Sequence, residues 1–212
     1  MLLGTRLKPV GRYVALAAVV AVALGYVVSA NGETGEGAAG TCGVERWPVK
    51  TLSDPKASQV NFTPHDTSVG RLRNKNAPKV GKNTPRIDGV ETTTYRVKAR
   101  LLEFKREDDK DIHLVISVPS AKTKTMIVEF PDTTCPGARD SAKKSQMGKA
   151  RSALVNACGQ APSPSSDFAD LKGTATVTGV GFFDVIHGQT GVAPNGIELH
   201  PVLKFTNATC SQ

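Results

Sequence analysis

TTTYRVKARLLEFKREDDKDIHLVISV, residues Thr92–Val118, decides the fold class. Its first half alternates, with Tyr95, Val97, Ala99 and Leu101 on one face and Arg96, Lys98 and Arg100 on the other. Side chains leave a β-strand to opposite sides with period two, so the pattern predicts a half-buried strand over Thr92–Lys105. The run Glu107–Asp111 reads as a solvated acidic turn. Asp108, Asp109 and Asp111 lack the glycine and distal glutamate of a calcium loop. Ile112–Val118 is a second strand, with Ile112, Leu114, Ile116 and Val118 inward and His113 outward.

Reading toward the C-terminus, Thr125–Phe130 supplies a third strand. Pro136–Ala157 is the one convincing helix, with Ser141, Met147, Ala150 and Leu154 forming its stripe and Gly159 placed to stop it. Gln160–Asp170 is a Pro/Ser loop. The stretch Phe182–Phe205, FFDVIHGQTGVAPNGIELHPVLKF, joins two last strands, Gly173–Phe183 and Gly196–Phe205, through the loop His187–Gly196. Asn195-Gly196 tolerates positive φ and marks a turn. The order strand, strand, strand, helix, strand, strand predicts a mainly β domain over residues 91–212, a five-stranded OB-like antiparallel barrel with one helix between strands 3 and 4. Gly179 and Gly181 suit the sharp bend where a barrel strand turns a corner. The competing architecture is an open antiparallel sheet with one covering helix.

The first thirty residues have the three parts of an export signal: the basic residues Arg6, Lys8 and Arg12, the apolar run Tyr13–Val28, and the small pair Ser29-Ala30. The same segment also has nearly the length of a single-span membrane anchor, which would hold residues 13–30 in the bilayer. Either reading places the remainder outside the cytoplasm, secreted or on the outer side of the cytoplasmic membrane. Loss of the segment takes the formal charge from +8 to +5, basic but ordinary. Residues 31–44 read as a flexible Gly/Glu-rich linker. Residues 45–90 read as an extended basic arm, in which Trp47 docks onto the barrel and Ser68–Arg73 forms a helical turn.

Four cysteines in an exported chain predict two disulfides. Of the three possible connectivities, the nested one pairs Cys135 with Cys158 across the helix and Cys42 with Cys210 near the two ends. No Cys-x-x-Cys pair supports a zinc–thiolate site.

The residues that carry chemistry gather around the last loop. If Ile197 and Leu199 face the core, then Glu198 and His200 face out, beside an outward Glu129 and His113, where OB-folds bind ligands. The expected contact surface is therefore His187, Gln189, Asn195, Glu198 and His200. His113, Glu129, His187 and His200 form an alternative divalent-metal set for a nuclease-like hydrolase. The basic residues Arg71, Arg73, Lys75, Lys79, Lys82 and Arg86 offer a further reading, binding of a cell-envelope or extracellular polyanion by the arm. Nucleic acid has no strong signal, because aromatic stacking platforms are sparse and the phenylalanines read as core. No Gly-x-Ser-x-Gly elbow suggests a serine nucleophile. The balance favours a binding or structural module over an enzyme.

The blocks Glu45–Asp54 (ERWPVKTLSD), Ile112–Ile116 (IHLVI), Thr178–Asp184 (TGVGFFD) and His187–Val202 (HGQTGVAPNGIELHPV) together resemble a family of exported bacterial proteins of unassigned function. The resemblance spans about Glu45–Phe205 and implies bacterial export and one compact domain, with no catalytic residues. A looser likeness in element order is to OB-fold barrels of the staphylococcal-nuclease type. The arginine–carboxylate set of those nucleases does not map onto this sequence.

Overall fold

The computed structural model describes Met1, residues 41–43 and residues 45–212. The expected signal or anchor segment and most of the expected linker lie outside the described residues. Among the described residues no helix is long and apolar enough to cross a membrane.

Seven strands form one mixed sheet, accompanied by three helices. All five strands expected from alternation are present: β2 (Thr93–Arg106), β3 (Ile112–Val118), β4 (Ala121–Phe130), β6 (Lys172–Phe183) and β7 (Ile197–Ser211). They pair in the order β2-β3-β4-β7-β6, and β6 returns to β2 through pairs such as Tyr95↔Gly179, so the five make a ring. The pairing is not antiparallel throughout, because β4 and β7 run parallel at Ile127↔Glu198 and Val128↔Leu199. A closed ring with an odd number of strands cannot alternate all the way round, so one seam must be parallel. Gly179 and Gly181 lie where the β6–β7 register shifts. A methyl group on Gly181 would sit 2.5 Å from the Val90 carbonyl oxygen, so only a bare backbone fits there.

The helix α3 (Lys144–Cys158) lies between β4 and β6 in sequence and packs along β7. It starts later than the expected Pro136, since residues 133–143 form turns. Met147, Ala150 and Leu154 are buried as its stripe requires, and Gly159 follows at φ 86°. The ring interior holds the main core, including Val97, Leu101, Phe104, Leu114, Ile116, Met126, Val128, Phe130, Leu199 and Phe205.

Residues 45–90 are folded onto the ring. They contain α1 (Trp47–Lys50), a single 3₁₀ turn (Ala57–Gln59), β1 (Asn61–Thr67) parallel to β2, and α2 (Val69–Arg73) capped by Ser68. Val69 and Leu72 of α2 join the main core. Leu52 and Val60 build a second, smaller core with Ala138, Met147 and Val180, flanked by Trp47, Phe62 and Leu203. The two-residue β5 (Ala169–Asp170) pairs with β2.

Both cysteine pairings differ from expectation: the bridges are Cys42–Cys135 and Cys158–Cys210. Cys135 and Cys158 stand on either side of a fifteen-residue helix, which spans about 22 Å. Disulfide-bonded Cα atoms approach within about 7 Å, which each cysteine reaches with its observed partner, at 5.4 Å for Cys42–Cys135 and 5.1 Å for Cys158–Cys210. Cys158 instead meets β7, the strand against which its helix packs, and Cys42 ties residues 41–43 to the loop before α3. Two formed disulfides fit an oxidising environment.

Candidate functional site

Alternation turns one set of side chains away from the ring interior: His113 and Val115 on β3, Ile127 and Glu129 on β4, Glu198 and His200 on β7, and Phe182 on β6. The register brings them together, through His113↔Glu129, Ile127↔Glu198 and Phe182↔Glu198. This outer face is nonetheless sealed. Glu198 is 2 % exposed, His200 1 % and His113 4 %.

Two parts of the chain cover it. Over Phe182 lie the Arg46 guanidinium, 4.7 Å from the ring centre, and the Lys50 ammonium at 5.5 Å. Over β3 lies the loop 184–196. His113 Nε2 donates to the Thr190 carbonyl at 2.9 Å, and a Cβ on Gly191 would fall 2.4 Å from Val115 Cγ1. The backbone of Gly191 therefore sits directly on Val115 at φ 79°, which no larger residue could match.

Ten polar groups meet in this covered layer, and burial sets their charge states. Lys50 Nζ stands 3.5 Å from Asp184 Oδ2. Burial alone would lower the ammonium, but the carboxylates of Asp184, Glu198, Glu129 and Asp109 outweigh it and hold the lysine above its ordinary range. Burial pushes the Glu198 carboxyl well up, with help from Asp184 and Glu129. Burial likewise pushes Asp109 and Asp111 up to about 7, Asp109 with Asp111 and Glu129 adding to it and Asp111 with Glu129 adding. Glu129 goes the other way. Burial opposes its ionisation, yet His113, His200 and Lys50 together bring it below its usual value. His113 Nδ1 lies 3.1 Å from Glu129 Oε1 and 3.6 Å from Glu107 Oε1. Burial works against the imidazolium, and these carboxylates with the Thr190 carbonyl prevail and raise it.

His200 and Asp111 approach to 3.3 Å, but the contact is not an ion pair. Burial and the Lys50 charge drop His200 to about 3, and neither His200 nitrogen nor Asp111 Oδ2 has a hydrogen-bond partner. Glu129 Oε2 and Glu198 Oε2 are also buried without partners. A glutamate pushed down beside one pushed up is the pattern by which a pair of carboxyls divides acid and base roles. Here it is shut away from solvent; a cavity of about 230 Å³ lined by Arg106, Glu107, Asp108 and Asp132 reaches the cluster at Glu107.

The expected contact residues divide accordingly. Glu198 and His200 lie beneath the cover. Gln189 fastens the loop, donating to the Val185 carbonyl and accepting from the His187 amide. Asn195 donates to the carbonyls of Leu72 and Lys75, pinning the loop to α2. His187 is exposed at the loop tip, between Ile186 and Gly188. The acidic turn expected to be solvated is instead partly internal, since Asp109 and Asp111 are buried with the cluster.

The expected metal set is not gathered. Among the described residues no three His, Cys, Asp or Glu side chains are grouped to hold one metal ion. His113 spends both ring nitrogens as donors, to Glu129 and to the Thr190 carbonyl, which leaves no lone pair for a cation. His187 is exposed to solvent at the loop tip, whereas His113 and His200 are buried.

The basic residues of 45–90 are similarly divided. Arg86 is 2 % exposed and lies in the interior, bonded to Asp54 at 2.6 Å and to the carbonyls of Glu91 and Val49, so it cannot meet an external anion. Lys82 pairs with Glu45 at 3.1 Å, and Lys75 lies over the Tyr95 ring. Arg73 donates to the Thr125 carbonyl; Arg71 and Lys79 are exposed.

Sequence reasoning missed the groups that close the layer. Arg46 makes a bidentate pair with Glu91 at 2.8 and 2.7 Å and also reaches the Phe183 carbonyl. Lys50 ends a four-residue helix whose only signal was Pro48 at its start. No family model matches this chain, and neither a curated protein nor a solved structure matches it.

Proposed function

We propose that this chain is an exported binding module, a disulfide-braced OB-like barrel that presents the tip of the loop 184–196 as its contact surface. Supporting the barrel reading are the five-strand ring, the helix between its third and fourth strands, and the parallel seam between third and fifth. Export rests on the leader-like residues 1–30, the two disulfides and the resemblance to exported bacterial proteins. The observation that carries the binding reading is Ile186. Apart from Met1 it is the one large apolar side chain exposed among the described residues, at 53 %. It stands beside His187 on a loop fastened from below by Gln189, Asn195, Thr190 and Gly191. Covering an apolar group removes its surface from water and so favours association, and a fixed loop loses little entropy on binding. An enzymatic reading gains no such support, since the acid–base groups Glu129, Glu198 and His200 are sealed beneath the cover.

The test uses the purified protein and intact envelopes of its host. Ile186→Asp and His187→Ala change only exposed side chains and will leave thermal unfolding unchanged. Retention on envelopes will fall with each variant. Full retention by the Ile186→Asp protein would end the proposal.

A further inference from the structure

Parts of three chain segments free of acidic residues, 67–87, 92–102 and 112–128, meet where α2 packs beside the β3–β4 turn. The short helix α2 packs on β2, β3 and β4 there, with Gly70 against Val118 at the close of β3. Arg73 of α2 donates to the Thr125 carbonyl, on the far side of the β3–β4 turn. Arg100 of β2 donates to the Pro119 carbonyl at 2.9 Å, on the near side. Two guanidinium groups thus clasp the β3–β4 turn beside the start of β4, where Lys122 and Lys124 are exposed. Arg71 is exposed on α2, and Lys98, on the same outward face of β2 as Arg100, is exposed as well. Opposite Lys98 and Arg100, β6 offers Thr176 and Thr174. Two nearby cations are already matched: Asp66 neutralises Arg96 and Glu45 neutralises Lys82.

We propose that Arg71, Arg73, Lys98, Arg100, Lys122 and Lys124 form a binding surface for a linear phosphodiester polymer, distinct from the loop tip and from the arm residues Lys79, Lys82 and Arg86. Phosphate groups along such a chain accept hydrogen bonds from guanidinium, ammonium and threonine hydroxyl donors, and their neutralisation releases counterions. The anchoring of Arg73 and Arg100 to backbone carbonyls fixes two of the cations before the polymer arrives, which lowers the entropy cost. Segments 96–102 and 112–128 contain no aromatic residue, so nothing there stacks on bases and the polymer is read by its backbone alone. The surface also carries no exposed large apolar side chain that could enter a bilayer, which favours a soluble chain over a lipid surface.

The full chain is titrated with labelled oligothymidylate, with poly(glycerol phosphate) and with phosphatidylglycerol vesicles over a salt series. Binding to either polymer supports the proposal, and the ratio of the two affinities identifies whether the phosphodiester source is a nucleic acid or a polyol-phosphate chain. Lys122→Ala with Lys124→Ala will weaken polymer binding at least about tenfold at low salt and reduce the slope of log affinity against log salt by about 1.4. Lys79→Ala will leave both unchanged. Because these lysines are exposed, the variants keep the wild-type unfolding curve. Binding to vesicles alone, to none of the probes, or with equal affinity by the double variant would overturn the proposal.

Discussion

Lys50→Met will destabilise the protein by about 3–5 kcal/mol at neutral pH, the range for breaking a buried ion pair from one side. The structure supplies the reason. The ammonium is 3.5 Å from Asp184 Oδ2, with side chains 8 % and 9 % exposed. At an effective dielectric of about 20 that single pair is worth roughly 5 kcal/mol of attraction. Glu129 adds to it, and so does Asp109 once ionised above about 7. Methionine is unbranched and of similar length, so the loss is one of charge, the ammonium's place over the Phe182 ring included, rather than of packing. Urea unfolding at about pH 8 and about pH 5 measures it. Lys50 is raised above its ordinary value, so its own contribution is complete below 10.5 and disappears only in strong alkali. The carboxyls around it change in the measured window, since Asp109 and Asp111 take protons as pH falls through about 7. Fewer anions then remain for the lysine to offset, and the cost of Lys50→Met shrinks toward pH 5. A cost below about 1 kcal/mol, the worth of an exposed pair, or one identical at both pH values would refute the reasoning.

Asp109→Asn keeps an oxygen for the Asp111 amide and removes a carboxyl whose folded value stands above its unfolded one. Such a group stabilises below its unfolded value of 3.8, and that contribution is lost as pH rises through about 7. The variant will therefore match the wild type near pH 4 and exceed it near pH 7.5 in chemical unfolding. An unchanged pH profile counts against the burial argument. Asn195→Ala leaves the Leu72 and Lys75 carbonyls short of a donor and will cost about 1–3 kcal/mol. Its amide exchange will accelerate in the loop and in α2 together; acceleration in the loop alone would show that Asn195 does not couple them. Gly191→Ala will destabilise by about 1–3 kcal/mol through contact with Val115, and Val115→Ala in the same chain will recover part of that loss in thermal unfolding. Digestion without reductant will yield Cys42 linked to Cys135 and Cys158 linked to Cys210. A fragment joining Cys135 to Cys158 would contradict the fold around α3.

The ring strands were legible because period-two patterning is a local signal, and Tyr95, Val97, Ala99 and Leu101 are all buried as it predicts. β1 was not legible. Its sequence NFTPHDT contains proline and is mostly exposed, and it forms only because β2 offers a free edge beside it. The outer face misled for a related reason. Glu129, Glu198 and His200 look like surface residues because alternation says which side of a strand they occupy, and says nothing of whether another segment covers that side. The cover comes from residues 46–50, more than sixty positions before Glu129, and a lone lysine in WPVK gives no local sign of burial. Arg86 was hidden by its company, one cation within a run of exposed ones, and only Asp54 and two distant carbonyls distinguish it.

The two disulfides have an implication for how the chain matures. Cysteines join in their order of appearance, first with second and third with fourth, so the loops they close follow one another without overlap. Under the proposed export, a polypeptide emerging N-terminus first exposes each correct partner before any later competitor arrives. Oxidation can then proceed stepwise along the emerging chain, with no mispaired bond to undo. The nested arrangement would have required Cys42 to wait, unreacted, until Cys210 had emerged.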